Sequence, residues 1–313
     1  MTISYSIRFW LLLIPLIPSI IVSIFNLYHL LRSRTLRTAL NNHVIILLLI
    51  CGLFAELTAI VLLIHLYRTG TVLSSTYEFC LAWCLANLFG VISVGLLMAW
   101  ASIERHILIF HSRWFATKTK LLFFHFLPLA ICILWPVAFY LVFYLTTPCN
   151  FPPDYTAPVC NLYVCLFLNP KIGLFDSIAH YIMPTFIVVF FSIALLIRVL
   201  YHKYRMHQRI EWRNYKRMAV QLLPISALYL LISFPPMILY TAYSAGLPSY
   251  VAGDYFLDGS FFFYWVIIFT PFASVLSLPE LKVKCKNIFL FWQRNRVVRQ
   301  EILPMNRLQA GQT

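Results

Sequence analysis

Between Cys80 and His106 the sequence reads CLAWCLANLFGVISVGLLMAWASIERH. As a helix, the 25-residue step from Cys80 to Arg105, at about 1.5 Å per residue, rises roughly 37 Å. The hydrocarbon core of a bilayer is about 30 Å thick. One helix therefore sets a cysteine at one membrane face and a Glu-Arg-His triplet at the other. It ties whatever the cysteine staples to whatever the arginine touches.

Six further apolar runs flank this one, divided from each other by Pro, Asn, Arg and Lys clusters. The seven are placed at Phe9 to Leu31, His43 to Leu66, Phe79 to Phe110, Leu121 to Leu145, Asp176 to Tyr201, Met218 to Tyr243 and Gly259 to Leu278. The chain is 61% hydrophobic and 11% charged, with mean hydropathy +0.82, against about a quarter charged residues in a soluble domain. The expectation is an all-α membrane protein: a seven-transmembrane helix bundle within residues 1–295, followed by a disordered tail over 296–313. After the seventh span, Leu281, Cys285, Ile288, Phe289 and Trp292 recur at helical spacing. They predict a short amphipathic cytoplasmic helix over 280–293, lying on membrane lipid whose anionic headgroups attract its lysines. Cys285 is a candidate for palmitoylation or a plain reduced thiol. No connection is long enough for a second globular domain, and no internal repeat is present.

The net charge of +14 sets topology rather than pointing to nucleic acid. When connections are numbered alternately, 21 of the 24 Lys and Arg residues fall on one side. The other side holds Arg8, Arg68 and Lys171, together with Glu78, Asp154, Asp176, Asp254 and Asp258. The positive-inside rule then places the N-terminus outside and the C-terminus in the cytoplasm, which requires an odd number of spans. The first run ends in a basic cluster and is expected to be a retained signal anchor rather than a cleaved leader.

Of eight cysteines, Cys51 and Cys132 fall inside spans and Cys285 on the basic side. Cys80, Cys149, Cys160 and Cys165 fall on the outer side, where disulfides form, with Cys84 one turn deeper. Four thiols allow three pairings. Cys80 with Cys165 and Cys149 with Cys160 is preferred, because Cys165 lies nearest the next helix and the other two close a small loop. Cys80 with Cys160 is the second choice. A disulfide from Cys80 draws the Thr146 to Phe175 connection across the mouth of the bundle and roofs a cavity.

With these residues in place, the chain resembles a rhodopsin-like (class A) G-protein-coupled receptor, as a divergent member, through all seven spans. Glu104-Arg105-His106 stands where that family has Asp/Glu-Arg-Tyr, with the cysteine 25 residues earlier. Asn26 is similar to the family's first-helix asparagine, and Pro184 to its fifth-helix proline. Ser233-Phe234-Pro235-Pro236 sits where Cys-Trp-x-Pro is usual, and Thr270-Pro271-Phe272-Ala273-Ser274 keeps only the proline of Asn/Asp-Pro-x-x-Tyr. The departures carry mechanistic weight. Gly52 replaces the sodium-site aspartate, Ser192 the fifth-helix tyrosine, and Lys216 the sixth-helix acid that pairs with the arginine. Arg105 is then left to Glu104 and repelled by Lys216, which implies a weak inactive-state lock and basal signalling. The resemblance implies a heterotrimeric G protein as partner, Glu104, Arg105 and His106 as its switch, and hinges at Pro184, Phe234, Pro235, Pro236 and Pro271. Pro235 and Pro236 predict a kink near Phe234.

Ionisable groups inside spans cost about 2.5–3.5 kcal/mol on insertion scales, so each needs a wet cavity or a partner. Glu56 lies in the outer half of the second span, and Asp176 and His180 share one helix face. Asn87 stands where amine receptors carry an aspartate, which disfavours an aminergic ligand. With Trp83, Tyr240, Thr241, Ser260 and Tyr264 these residues are the candidate ligand pocket; interhelical hydrogen bonding, or for Asp176 a helix cap, is the plainer role. The ligand is left as a basic peptide or a small odorant-like molecule. No metal ligand set, cofactor motif or catalytic triad pattern is present, so an enzyme is not expected. The competing expectation is a multi-span transporter or channel using Glu56, Asp176 and His180 as a relay. The expected location is the plasma membrane.

Overall fold

The computed structural model describes residues 3–147, 152–206, 229–248 and 250–277. Every regular element among the described residues is helical. Six helices are long and apolar enough to cross a membrane: α1 (Tyr5–Arg32), α2 (Leu40–Thr69), α3 (Tyr77–Leu108), α4 (Lys118–Thr146), α5 (Pro170–Arg198) and, last in the chain, α7 (Gly253–Val275). A shorter apolar helix, α6 (Leu230–Ser244), precedes α7. The chain is therefore a multi-pass, all-helical membrane protein. The expected spans overlap these helices, except that residues 218–228 of the sixth lie outside the described residues. So do Cys149, Lys216, Cys285, the amphipathic segment 280–293 and the tail 296–313.

Lipid inverts the usual amphipathic rule, and α1 records the inversion. Ile7, Trp10, Ile14, Ile17, Ile21 and Ile24 form an exposed apolar stripe, which costs nothing in hydrocarbon. Arg8, Ser19, Ser23 and Asn26 are buried on the opposite side with Leu12 and Leu16, where hydrogen-bond partners on other helices are available. α3 is the central element, packing on α2, α4 and α5, while α1 packs on α2 and α7. α6 packs between α5 and α7. The closest approach of α2 to α3 needs the bare backbone of Gly90, since a Cβ there would lie 2.6 Å from Ala55 Cβ and 3.3 Å from Ala55 Cα. Gly90→Ala is expected to push these helices apart at a cost of about 1–3 kcal/mol. A lower thermal midpoint of the purified protein would register it, and an unchanged midpoint would contradict the contact.

Prolines explain most of the helix irregularity. Pi-helical turns occupy Leu122–Phe126, Ser177–Ile182 and Tyr229–Ser233, and each ends two residues ahead of a proline: Pro128, Pro184 and Pro235. A proline ring clashes with the carbonyl four residues back and leaves it without a donor. In all three cases that carbonyl lies inside the widened turn, which moves it aside. The distortion expected at Phe234 thus sits in the turn before it. A fourth pi-helical turn, Glu56–Ile60, has no proline and carries a buried acid. In α7, Pro271 is flanked by donors from α1: Asn26 Nδ2 donates to Pro271 O at 2.9 Å, and Ser19 Oγ lies 2.8 Å from Ile268 O.

The connection from α4 to α5 folds back over the Cys80 end of the bundle. Cys80 is bonded to Cys160, with Cα atoms 5.7 Å apart. This corrects the preferred pairing with Cys165 and realises the second choice; Cys165 is itself disulfide-bonded. Val159, Cys160 and Asn161 all lie in the left-handed region, with φ 54°, 51° and 59°, a costly conformation for non-glycine residues. This reversal aims Cys160 down at α3. The segment is pinned further by Val72 N donating to Tyr155 O at 2.9 Å and Asp154 N to Cys160 O at 3.0 Å. Asp154 accepts from Thr156 N at 2.9 Å and Thr156 Oγ1 at 2.6 Å, and these bonds hold its carboxyl below the usual range.

Candidate functional site

Beneath the Cys160 reversal lies a cavity of about 170 Å³. Val159 and Tyr163 of the connection border it, and Tyr67, Tyr181, Phe261 and Tyr264 wall it. Arg8 is the single charged residue among those lining it. Its Nη2 lies 2.5 Å from Asp258 Oδ1, its Nε donates to Ile3 O at 3.0 Å, and its guanidinium carbon sits 5.4 Å from the Phe261 ring centre. Tyr264 OH donates to Asn87 Oδ1 at 2.9 Å. Of the nine expected pocket residues, Asn87, Tyr240, Ser260 and Tyr264 line this cavity, whereas Glu56, Trp83, Asp176, His180 and Thr241 do not.

Those five are engaged elsewhere, although Glu56 Oε2 has no hydrogen-bond partner among the described residues. Trp83 Nε1 donates to Ala59 O at 3.3 Å, and Thr241 Oγ1 to Met237 O at 2.9 Å. Glu56 is wholly buried, its Oε1 2.5 Å from Ser19 Oγ, which also contacts Ile268 O. A serine has one hydrogen and a carbonyl only accepts. The three atoms are satisfied together when the serine donates to Ile268 O and a protonated Glu56 donates to the serine. No cation reaches Glu56 among the described residues, and an ionised carboxylate buried beside a single hydroxyl is very costly. The glutamate is thus an α1–α2–α7 fastener.

Asp176 and His180 form a buried cluster joining α4, α5 and α6. Asp176 Oδ1 accepts from Tyr140 OH at 2.6 Å and pairs with His180 Nδ1 at 2.7 Å, while Oδ2 accepts from Tyr240 OH at 2.6 Å. Trp135 Nε1 donates to His180 Nε2 at 2.8 Å. Because an indole only donates, Nε2 must accept, and the ring proton sits on Nδ1 facing the carboxylate. Asp176 therefore gathers three donors around one buried charge. Tyr240 is shared between this cluster and the cavity wall.

A second polar cluster lies at the Arg105 end. Glu104 does not pair with Arg105 as expected; its Oε1 makes a short contact with His125 Nδ1 on α4. His125 Nε2 meets His43 Nδ1 at 2.8 Å, and His43 Nε2 meets Arg37 O at 2.9 Å. The terminal carbonyl fixes the order of donors: His43 gives Nε2–H to Arg37 O, and His125 gives Nε2–H to His43. A single proton then lies between His125 and Glu104. Arg105 is 6% exposed, and its Nη1 has no hydrogen-bond partner among the described residues. Next to it, His106 Nε2 accepts from Arg198 Nη1 at 3.0 Å, and the same guanidinium lies 4.9 Å from the Phe110 ring centre. This clasps α3 to α5.

Arg8, Tyr140, Trp135, His43 and His125 were not singled out from sequence. The available signal was cost: a histidine in the run LFFHFL of residues 122–127 needs a partner inside the membrane. No family model matches the chain, and no curated protein matches it in sequence. The fold and site define a multi-pass helical membrane protein with a roofed cavity at one end and a buried arginine at the other.

Proposed function

We propose that the chain is a rhodopsin-like G-protein-coupled receptor of the plasma membrane, with seven spans, its N-terminus outside and its C-terminus in the cytoplasm. It binds an extracellular ligand in the roofed cavity and promotes nucleotide exchange on a heterotrimeric G protein through Arg105. The observation that carries this reading is the two-ended character of α3. Cys80 at one end is covalently fixed to the cavity's roof, and Arg105 at the other is buried with Nη1 unsatisfied among the described residues. A buried guanidinium nitrogen without an acceptor is costly, so a conformation that offers it one is favoured. The engagement of Glu104 by His125 rather than by Arg105 supports a loose lock and basal activity; the part assigned to Lys216 lies outside the described residues.

A transporter relay through Glu56, Asp176 and His180 is less well supported. Glu56 is bonded to α1, whereas Asp176 and His180 are bonded to α4 and α6. Among the described residues the two groups have no hydrogen-bonded partner in common, and each is fastened to different helices. A receptor tolerates two such fasteners, while a relay needs them connected.

Guanine-nucleotide loading of a Gα subunit in membranes expressing the chain tests the proposal. Ligand-free exchange above that of membranes lacking the protein is expected. Arg105→Ala, at equal surface expression, is expected to return it to background. Equal exchange in the variant, or purified protein in vesicles passing solute with no G protein present, would count against the receptor reading.

A further inference from the structure

We propose that the cavity selects a compact, uncharged aromatic molecule of about six to ten heavy atoms. This rests on the receptor reading only for the identity of the site. Size is the first constraint. An apolar cavity of about 150 Å³ holds benzene, and this one measures about 170 Å³. A single-ring or small fused-ring ligand fits within that volume.

Charge is the second constraint. Among the described residues Arg8 is the only ionic one lining the cavity, and it is already committed to Asp258, to Ile3 O and to the faces of Phe261 and Tyr67. An anion entering would have to displace Asp258 from it. A cation would meet no carboxylate on the wall, since Asp176 lies behind the hydroxyl of Tyr240. Either ion would lose its hydration without gaining a partner.

The walls supply the remaining specificity. Tyr67, Tyr181, Phe261 and Tyr264 offer ring edges and faces to an aromatic guest. Tyr264 gives its proton to Asn87 Oδ1, while Asn87 Nδ2 and Ser260 Oγ make no hydrogen bond among the described residues. These are a donor and a hydroxyl for one polar group on the ligand.

Three single-ring probes within that size range test the inference on the purified full chain in lipid nanodiscs, with no G protein present: benzyl alcohol, benzylamine and benzoate. Phenol and indole extend the neutral arm. A neutral probe is expected to bind at least about tenfold more tightly than both charged ones, by saturation binding or thermal shift. Val91→Phe, which fills the cavity, is expected to abolish that binding while the variant keeps a cooperative unfolding transition. Asp258→Asn removes the counter-charge of Arg8 and is expected to move preference toward benzoate by about tenfold or more.

Equal or tighter binding of a charged probe to the unmodified protein, survival of neutral binding in Val91→Phe, or failure of every neutral probe to bind at millimolar concentration would each overturn it. A neutral probe that binds, in a chain that loads no G protein, preserves this inference and removes the receptor reading instead.

Discussion

Replacing Asp176 by alanine is expected to cost about 3–5 kcal/mol of stability, the range for stripping one partner from a buried polar or ionic cluster. The carboxylate accepts from Tyr140, Tyr240 and His180 together, at 2.6, 2.6 and 2.7 Å, in a region from which water is excluded. Alanine leaves two hydroxyls and an imidazole N–H aimed at a methyl group, with the 3.2 Å contact between Tyr140 OH and His180 Nδ1 recovering only part of the loss. Asp176→Asn is expected to cost less, about 1–3 kcal/mol, since the amide oxygen still accepts but its N–H₂ opposes a donor. The thermal midpoint of the purified protein reports the effect. The sharper measurement is a double-mutant cycle, in which Tyr140→Phe and Tyr240→Phe remove the orphaned donors and so recover part of the alanine penalty. An Asp176→Ala protein as stable as its parent, or a cycle with no coupling, would mean the cluster does not fasten α4, α5 and α6.

Loss of the Cys80–Cys160 disulfide is expected to cost about 2–5 kcal/mol. The bond links residues 80 apart in sequence, so it strongly restricts the unfolded chain. In the folded protein it holds three consecutive left-handed residues, Val159 to Asn161, against α3. Without the bond only hydrogen bonds such as Asp154 N to Cys160 O hold that conformation, and the roof over the cavity is freer to lift. Cys80→Ser and Cys160→Ser should therefore behave alike, and the double variant should be no worse than either single. Folded surface expression and indole binding both report this. Mass spectrometry of non-reduced peptides gives the direct check: recovery of Cys80 joined to Cys165 would replace this pairing by the other one.

Certain errors of sequence reading here have plain geometric causes. Glu104 and Arg105 are adjacent in the chain, so on a helix their side chains point about 100° apart and do not face each other. Glu104 finds His125 on α4, while Arg105 turns elsewhere into the interior. The preferred Cys165 pairing followed from nearness in sequence to the next helix. Three residues of left-handed backbone reverse the chain at Val159–Asn161, and that reversal carries Cys160 to α3. Likewise Glu56, Asp176 and His180 were candidates for a pocket because buried charge is costly. The cost is met by Ser19, Tyr140, Tyr240 and Trp135, which no spacing rule links to them.

Other features were legible because they are local. A run of apolar residues long enough to cross hydrocarbon declares itself without reference to its neighbours, and the membrane helices α1 to α5 and α7 fall where such runs lie. A proline withdraws a donor wherever it sits, so the helix distortion at Pro235 was readable to within a turn. By itself, then, the sequence determined that this chain is a helical, multi-pass membrane protein with a cysteine and an arginine at opposite ends of its third helix, since hydropathy and rise per residue add up along one segment. Only the tertiary structure decided which side chains face one another. The Arg8–Asp258 contact that neutralises the cavity joins residues 250 apart, and a pairing of that range depends on how helices pack rather than on any pattern along the chain.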